Sequence, residues 1–395
     1  MTVEVRPLAD GEVRAAHTLF RASLHRGPMS DEQWETFVDS FEPGRTHGAF
    51  DGDRLVGTAL AWSSDLRVPG GAVLPMAAVT RVGVRADFRR RGALRALMGV
   101  QLADVARRGE VFAGLHASEA GIYGRFGYGV ATRSQRMAAK GARLRPGVPF
   151  GGSVRVVDAG DKVIFDLYAA VGRAGVGTIA RPAAMWKNYE RAWAIKENLV
   201  TAVHTGPGGD DGFVTWRPVE SEGFEQHVLQ VEDFVAADAG AAYALWDFLF
   251  SLDLVERVRV WQRPVDEALQ AAVVDPRTVT VEGVEDDLWV RVVDVPAALA
   301  ARAYRPGDPV VVEVLDPLLE ANSGRYVIGP GGAERTGAEA AVAVDAEVLA
   351  MVYLGGWTWT ALAAAGRVQV RDPDAPAALD RLFAVDRAPF TGTYY

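Results

Sequence analysis

The clearest pattern of hydrophobic and polar positions in this 395-residue chain runs from residue 79 to residue 108. Residues 79–84 (VTRVGV) are rich in β-branched side chains and few in number, which predicts a strand. A basic loop, residues 85–92, follows the strand and ends in Gly92. Residues 93–108 are predicted to form a helix, because apolar residues recur on one helical face: Leu94, Leu97, Met98, Leu102 and Val105.

Further elements are predicted on both sides of this segment. Helices are expected at residues 10–23, where Asp10 is the N-cap, and at residues 30–41, where Ser30 and Asp31 begin the helix. The predicted strands of this stretch are residues 3–6, 46–50, 54–62, 71–84, 111–117 and 126–135. The first 135 residues therefore predict one mixed α/β unit.

A second stretch, residues 136–284, has a similar order of elements. Its predicted helices and strands are helices 161–171, 182–193 and 238–252, and strands 199–204, 212–217 and 225–232. Residues 229–250 repeat in kind the strand, loop, glycine and helix of the first unit. Asp238 and Ala239 stand where the first unit has arginines, and Asp233 adds a carboxylate. We therefore expect this second copy to have lost the ability to bind an anion.

The third stretch, residues 285–395, predicts an α+β domain without a catalytic motif. Its predicted elements are strands 288–292, 310–314 and 326–328, and helices 294–303, 345–353 and 377–383. The sequence ends in PFTGTYY, whereas most chain termini are polar and frayed. Tyr394 and Tyr395 thus favour a tail that docks on the protein and whose α-carboxylate is held at a defined place.

A strand, a glycine-ended loop and a helix N-terminus in this order can bind an anion. The first N–H groups of a helix lack internal partners, and the helix dipole adds about half a positive charge. Arg89, Arg90 and Arg91 add full charges that can grip phosphate oxygens, and Gly92 permits close approach to the backbone. The loop matches neither GxxxxGK[ST] nor GxGxxG. A phosphate or pyrophosphate is predicted here; a solvated basic loop is the alternative.

Two motifs resemble those of GNAT N-acetyltransferases. The spacing Arg89-x-x-Gly92-x-Leu94 resembles the [QR]xxGx[GA] pyrophosphate loop of that family, with Leu94 in the last small position. The segment SEAGIYGRFGYG, residues 118–129, resembles more narrowly the enhanced-intracellular-survival (Eis) group of multi-domain GNAT enzymes. The resemblance implies an α/β (α+β) fold of tandem GNAT units followed by a sterol-carrier-protein-like domain. The active unit is then expected at 1–135, a degenerate unit at 136–284 and the third domain at 285–395.

The resemblance also implies acetyl-CoA as co-substrate. Val82, Gly83 and Val84 are then expected to contact the acetyl group and the pantetheine, and Ser118 and Glu119 to lie near the thioester. The expected pyrophosphate contacts are Arg89, Arg90, Arg91, Gly92, Ala93, Leu94 and Arg95.

Acetyl transfer to an amine needs a proton donor for the departing thiolate. A phenol, whose ordinary pKa is about 10, keeps its proton at neutral pH and can donate to a thiolate, whose thiol pKa is about 8.5. By the resemblance, Tyr123 is the proton donor of this group. The alternative for Tyr123 is a core residue, although Phe126 and Tyr128 suit the core better.

The amine also needs a base, and the resemblance assigns this role to the C-terminal carboxylate, here that of Tyr395. Burial in an aromatic pocket raises the pKa of such a carboxyl, which makes it a better base. His116, because its side chain titrates near neutral pH, and Glu119 are alternative bases. A tail packed only for stability or subunit contact is another alternative.

Composition narrows the class of protein further. A hydrophobic content of 49% and a charged content of 24% are typical of soluble globular proteins, and the net charge of −9 argues against a nucleic-acid partner. Without cysteine there is no thiolate ligand, and His116 and Glu119 lack a third ligand, so no metal is predicted. Neither a signal peptide nor a long apolar segment is recognised, so no membrane contact and a cytoplasmic location are expected.

We therefore expect direct transfer of acetyl from acetyl-CoA to a primary amine, such as an aminoglycoside or polyamine, in a ternary complex. Members of the group form hexamers, so a homohexamer is expected. Members often carry an acidic residue where this chain has Tyr394, which weakens the case for a polycation. Two alternative functions are a protein lysine acetyltransferase and a non-catalytic carrier of an apolar ligand that acyl-CoA regulates.

Overall fold

The computed structural model describes residues 3–158, 160–196, 198–219 and 227–395. Its strands are β1 (Glu4–Pro7), β2 (Thr46–Asp51), β3 (Arg54–Arg67), β4 (Val73–Val84), β5 (Phe112–Leu115), β6 (Gly129–Val130), β7 (Arg133–Ala139), β8 (Ser153–Val157), β9 (Val200–Gly206), β10 (Gly209–Val219), β11 (His227–Ala236), β12 (Val255–Pro264), β13 (Val279–Asp286), β14 (Trp289–Val292), β15 (Val310–Leu315), β16 (Gly324–Gly329), β17 (Gly332–Arg335), β18 (Val342–Asp345) and β19 (Gln369–Val370). Its α-helices are α1 (Val13–Ser23), α2 (Asp31–Glu35), α3 (Ala93–Arg107), α4 (Lys162–Val171), α5 (Ala183–Ala194), α6 (Ala239–Ser251), α7 (Leu269–Ala272), α8 (Val295–Ala301), α9 (Ala346–Tyr353), α10 (Trp359–Ala364) and α11 (Ala375–Phe383).

The strands form three sheets, and the first two are built alike. The first sheet has the order β1-β2-β3-β4-β5-β14-β6, the second β13-β7-β12-β11-β10-β9-β8, and the third β17-β16-β15-β18-β19. In the first sheet β4 and β5 are parallel and are joined through α3; in the second, β11 and β12 are parallel and are joined through α6. This arrangement confirms the predicted mixed α/β class and the second unit that repeats the first.

Two strands lie in a different sheet from the one that their sequence position suggests. The predicted strand 126–135 is wrong: the chain there forms a 3-10 turn at Gly124–Phe126, β6 in the first sheet and the start of β7 in the second. Conversely, β14, which sequence analysis places in the third domain, lies between β5 and β6 of the first sheet. Short apolar strands carry no local signal of their partners, because pairing depends on distant residues. The boundaries 1–135, 136–284 and 285–395 stay a prediction.

Most other predicted elements are present within a few residues of their predicted bounds. The strand predicted at 225–232 corresponds to β11, and its first two residues lie outside the described part of the chain. The helix predicted at 30–41 is interrupted: α2 ends at Glu35 and a 3-10 turn follows at Val38–Ser40. Phe37 and Phe41 then pack on His17, with ring centres 4.7 and 5.7 Å away.

One hydrophobic core joins the first unit to the third domain. It contains Trp62 of β3 and Phe112 of β5 together with Leu349 and Tyr353 of α9. The rings of Phe112 and Tyr353 are 5.2 Å apart. The first unit therefore depends on the third domain to cover part of its sheet. Within the described ranges, no helix has the length and apolar character needed to span a bilayer.

Candidate active site

The predicted cofactor strand β4 separates from β5 part of the way along its length. The two strands pair only between residues 76–78 and 112–114, although β4 continues to Val84. Val82, Gly83 and Val84 lie on the separated part. Main-chain N–H and C=O groups need partners, so this side of β4 suits an extended ligand that can pair with it.

A β-bulge on the opposite edge of β4 marks the start of this separated part. The pairing of β3 with β4 shifts register between Thr58 and Leu60, and Arg81 has a left-handed backbone with φ of 52°. The guanidinium of Arg81 is buried between Phe41 and Phe37, at 4.2 and 4.5 Å from their ring centres. A bulge re-aims the residues beside it, and here those residues are Val82, Gly83 and Val84.

The loop between β4 and α3 is arranged as an open anion site. Gly92 is the N-cap of α3 with φ of 85°, and a Cβ added there would meet no atom within 4 Å. Arg89, Arg90 and Arg91 are all exposed. Among the described residues, no side chain caps the helix start, where Ala93 begins α3. The unpaired N–H groups and the nearby guanidinium groups are therefore available to an anion.

Tyr123 is the N-cap residue of the 3-10 turn that follows β5. Its side chain is only 6% exposed and packs in a cluster with Met98 and Leu102 of α3. Burial, and then the carboxylate of Glu119, raise the pKa of Tyr123 to about 12. Ser118 and Glu119 are exposed in the segment between β5 and this turn. The phenol is therefore held in its protonated form, as a proton donor requires.

The glycines around Tyr123 allow close contact with the third domain. A Cβ on Gly124 would lie 2.8 Å from Oε2 of Glu347, and one on Gly129 would lie 2.3 Å from the main-chain oxygen of Glu347. At Gly129 the main chain of α9 approaches too closely for a side chain, whereas at Gly124 the neighbouring atoms belong to the carboxylate end of the Glu347 side chain.

The C-terminal tail enters the first unit where β4 and β5 begin to separate. The ring of Tyr395 lies 6.2 Å from Trp62 and 4.9 Å from His116, and a Cβ on Gly114 would lie 3.2 Å from the Tyr395 hydroxyl. Gly114 is the last residue of β5 that pairs with β4. Burial, Tyr128 and Asp287 raise the pKa of the Tyr395 phenol. Tyr128 also lies 6.0 Å from Tyr123, so both predicted catalytic residues adjoin the same side chain.

His116 binds the tail. Its Nε2 lies 2.9 Å from the main-chain oxygen of Thr393, and its ring lies 4.6 Å from that of Tyr394. A contact with a carbonyl oxygen requires the proton on Nε2, while Nδ1 lies 3.6 Å from Asp287. Burial lowers the pKa of His116, although Asp287 opposes this. The geometry thus supports His116 as a contact of the tail rather than a free base.

The second unit holds the same tail through side chains that sequence analysis did not identify. Arg181 donates to the oxygen of Gly392 and to Oγ1 of Thr393, at 2.8 and 2.9 Å. The hydroxyl of Tyr189 donates to the oxygen of Tyr394 at 2.9 Å. Arg181 and Tyr189 are separated from the tail by more than 200 residues, so no local pattern reports their role.

A cavity of about 720 Å³ lies beside the tail, between the two units. It reaches from His116 and Tyr394 to β11 and β12 of the second unit. Five carboxylate residues and two cationic residues line it: Glu232, Asp233, Glu285, Asp286, Asp287, Lys196 and Arg217. Asp233 pairs with Arg181, Glu232 with Lys196 and Arg217, and Glu285 with Arg136, so within the described part of the chain Asp286 and Asp287 are the carboxylates left for a cationic ligand. The pairs Glu232-Asp233 and Asp286-Asp287 are visible in the sequence, but only the fold brings them together.

In the second unit, the position that corresponds to the cofactor loop is closed to an anion. Asp238 caps α6 by accepting a hydrogen bond from the N–H of Ala241 at 2.9 Å. Arg263 of β12 donates to the oxygen of Phe234 at 3.3 Å and pairs with Glu267 at 2.6 Å. A carboxylate thus occupies the helix start and a side chain bridges the two strands. Both features support the expected loss of the second cofactor site.

Comparisons with known proteins agree with this architecture. Two acetyltransferase (GNAT) domain families match residues 4–131 and 177–292, and a sterol carrier protein domain family matches residues 295–392.

Whole proteins match over nearly all of the chain. An uncharacterized N-acetyltransferase of Streptomyces avermitilis is 36% identical and aligns over 99% of each chain. N-acetyltransferase Eis of Mycobacterium tuberculosis is 34% identical over 91% of each chain. The crystal structure of Eis1 from Mycobacterium abscessus superposes with a TM-score of 0.91, at 38% identity over the full length of both chains.

Proposed function

The chain belongs to the Eis family of GNAT N-acetyltransferases, and from this premise we propose its acceptor and its catalytic residues. The acceptor is a primary amine of a small molecule, which attacks the acetyl group of acetyl-CoA directly in a ternary complex. Tyr123 is the general acid, and the C-terminal carboxylate of Tyr395 is the general base.

The observation that carries this proposal is the place where the tail ends. The ring of Tyr395 packs on His116 beside Gly114, the residue after which β4 and β5 separate. Val82, Gly83 and Val84 lie on the separated part of β4, which supports a single site that includes them and the last residue of the chain. A carboxylate there can accept a proton from an ammonium group.

In this proposal, each step of the reaction is assigned to one of these residues. The terminal carboxylate takes a proton from the acceptor, and the neutral amine attacks the thioester carbonyl carbon. Main-chain N–H groups of Val82, Gly83 and Val84 stabilise the negative charge that develops on the carbonyl oxygen. As the C–S bond breaks, Tyr123 gives its proton to the departing thiolate, and the proton that the acylated nitrogen then loses restores the Tyr123 phenol. Asp286 and Asp287 in the cavity beside Tyr394 attract the cationic form of the acceptor.

Replacing Tyr123 by Phe is expected to lower kcat about 100-fold, because the thiolate then leaves without a proton donor. Tyr128→Phe is the matched control: Tyr128 is fully buried, its hydroxyl has no partner among the described residues, and its ring adjoins Tyr123. Steady-state kinetics with both variants tests the assignment, and an unchanged kcat in Tyr123→Phe contradicts it. Since the pKa of Tyr123 is raised to about 12, we expect no loss of its proton below about pH 11.

Changing Arg89, Arg90 and Arg91 together to Gln is expected to raise the Kd for acetyl-CoA about 10- to 100-fold, because charged hydrogen bonds to phosphate are lost. The kcat at saturation is expected to change little, because these contacts are distant from the thioester. Titration calorimetry at low and high salt measures the Kd, and the difference in Kd between the parent and the triple variant should shrink as salt screens the charges. Arg107→Gln, at the other end of α3, is the control. An unchanged Kd in the triple variant contradicts the assignment.

The acceptor class is tested by CoA-thiol release with an aminoglycoside, a polyamine and a lysine-containing peptide. Turnover with the free amines and none with the peptide supports the proposal, and the reverse supports a protein lysine acetyltransferase. A non-catalytic carrier is not favoured, since relatives that align with nearly the whole chain are named N-acetyltransferases. A homohexamer stays a prediction from the resemblance, and a cytoplasmic location stays a prediction from the sequence.

A further inference from the structure

Arg181 is a buried cation whose hydrogen bonds are divided between the second unit and the tail. It lies two residues before the start of α5 and is 6% exposed. Nη1 and Nη2 pair with the carboxylate of Asp233 at 2.5 and 3.1 Å. Nε donates to Oγ1 of Thr393 at 2.9 Å, and Nη2 also donates to the oxygen of Gly392 at 2.8 Å. The same guanidinium thus joins β11 of the second unit to the last residues of the chain.

The second unit fixes the orientation of this guanidinium independently of the tail. The rings of Tyr168, Tyr189 and Trp186 surround it, with centres 3.9, 4.5 and 4.9 Å from its central carbon. Asp233 supplies the opposite charge that a buried cation requires. Asp233 and the three rings set the plane of the Arg181 guanidinium. The two remaining hydrogen bonds of Arg181 therefore determine where Gly392 and Thr393 lie.

The contact with Thr393 is close enough to the chain end to set its position. Two residues span at most about 7 Å of extended chain, and Thr393 and Tyr395 are two residues apart. The Thr393 side chain is fully engaged, since its Oγ1 also lies 2.7 Å from the hydroxyl of Tyr168. The oxygen and N–H of Tyr394 both bond to the hydroxyl of Tyr189, at 2.9 and 3.1 Å. Tyr395 is the one residue of the chain that follows these contacts, and its ring packs on Trp62 and His116 of the first unit.

We propose that Arg181, held by Asp233, is a positioning residue for acetyl transfer that acts through the tail by fixing the terminal carboxylate of Tyr395. This inference rests on the proposed function, in which that carboxylate is the base. It also gives the second unit a task. Asp233 lies just beyond the last paired residues of β11 and β12, Val231 and Val260. In an active unit, the separation of these two strands would admit a cofactor. Here Asp233, which follows the last paired residues, binds Arg181, and Arg181 holds the tail.

The test compares Arg181→Met with Arg173→Met in the full-length protein. Arg173 pairs with Asp65 across the same junction between the units. In the described part of the chain it does not contact residues 391–395. Arg181→Met is expected to lower kcat about 30- to 100-fold, with the KM for acetyl-CoA within about twofold of the parent value. Arg173→Met is expected to keep both values within about twofold. Equal kcat values for Arg181→Met and the parent overturn the proposal.

Two further readouts separate positioning from a general loss of structure. In a chain without Tyr394 and Tyr395, Arg181→Met is expected to cause no additional loss of kcat, because the group that it positions is already gone. If the kcat loss caused by Arg181→Met multiplies the kcat loss caused by truncation, the proposal is overturned. The deficit of Arg181→Met is also expected to shrink as pH rises, because the amine then becomes neutral without a base. A deficit independent of pH points to a structural role and overturns it.

A third readout does not depend on turnover. A carboxypeptidase that prefers aromatic ends is expected to release Tyr395 from Arg181→Met at least about tenfold faster than from the parent or Arg173→Met. Equal release rates overturn the proposal. If no amine is turned over by the parent, the proposed function fails, and the release rates still decide whether Arg181 holds the tail. Should Arg181→Met fail to fold, Thr393→Val removes one contact while Arg181 and Asp233 stay paired, and the same assays apply.

Discussion

Removal of Tyr394 and Tyr395 is expected to lower kcat about 10³-fold while the Kd for acetyl-CoA stays within about twofold. The loss follows because the truncated chain ends at Thr393, two residues short of the proposed base, and His116 and Arg181 hold the main chain and side chain of Thr393 in place. Binding is retained because the loop at residues 89–92 and the start of α3 are unchanged. CoA-thiol release and calorimetry on both chains measure the two quantities.

Truncation also removes a buried ring, so a second variant is needed to isolate the carboxylate. Adding one glycine after Tyr395 keeps both rings but moves the carboxylate by about 3.8 Å along the chain. We expect this variant to lose activity to a similar extent and to unfold at nearly the parent temperature. If it retains full turnover, or if the truncated chain does, the carboxylate is not the base and the tail has a structural role.

Replacing Arg291 by Met is expected to lower the free energy of unfolding by about 3–5 kcal/mol, because it removes one partner of a buried ion pair. Arg291 of β14 is fully buried and donates to Oδ2 of Asp316 at 2.5 Å and to the oxygen of Val292 at 2.8 Å. Asp316 also accepts from the side-chain amide of Asn322 at 2.8 Å. Loss of the Arg291 guanidinium leaves the carboxylate of Asp316 buried without its counter-charge where the first sheet meets the third domain.

Urea unfolding followed by tryptophan fluorescence measures this change, and Arg325→Met is the matched control. Arg325 pairs with Glu313 at 3.4 Å within the third domain, and both side chains are partly exposed. Its replacement is expected to cost less than about 1 kcal/mol. If the two variants lose the same free energy of unfolding, burial is not the reason that the Arg291–Asp316 pair stabilises the protein.

The segment from β4 to α3 could be predicted from the sequence because its signals are local. β-branched residues, a basic loop, Gly92 and a helical repeat all lie within thirty residues of one another, and each reports its own backbone conformation. The structure places β4, the N-cap at Gly92 and α3 as predicted. The docked tail was also expected, because two aromatic residues at a chain end are poorly suited to solvent.

The partners of the tail could not be predicted, because they depend on the pairing of distant elements. Arg181 and Asp233 are separated from each other by 52 residues, and Arg181 from Thr393 by 212. In the sequence, Asp233 reads only as a carboxylate unsuited to a pyrophosphate. In the structure, Asp233 also binds the buried guanidinium of Arg181. For β14 the same limit applies, since a strand of four residues does not specify which sheet it joins.

The position of β14 has a consequence for biosynthesis. The ribosome delivers β5 long before β14, yet β14 is the strand that pairs with β5 and separates it from β6. Until residue 292 has emerged, the nascent first sheet has an unpaired edge at β5, and such edges invite pairing with other chains. The unit that emerges first is thus completed only after the second unit has been translated, an order that favours chaperone protection of the nascent chain and opposes independent folding of residues 1–135.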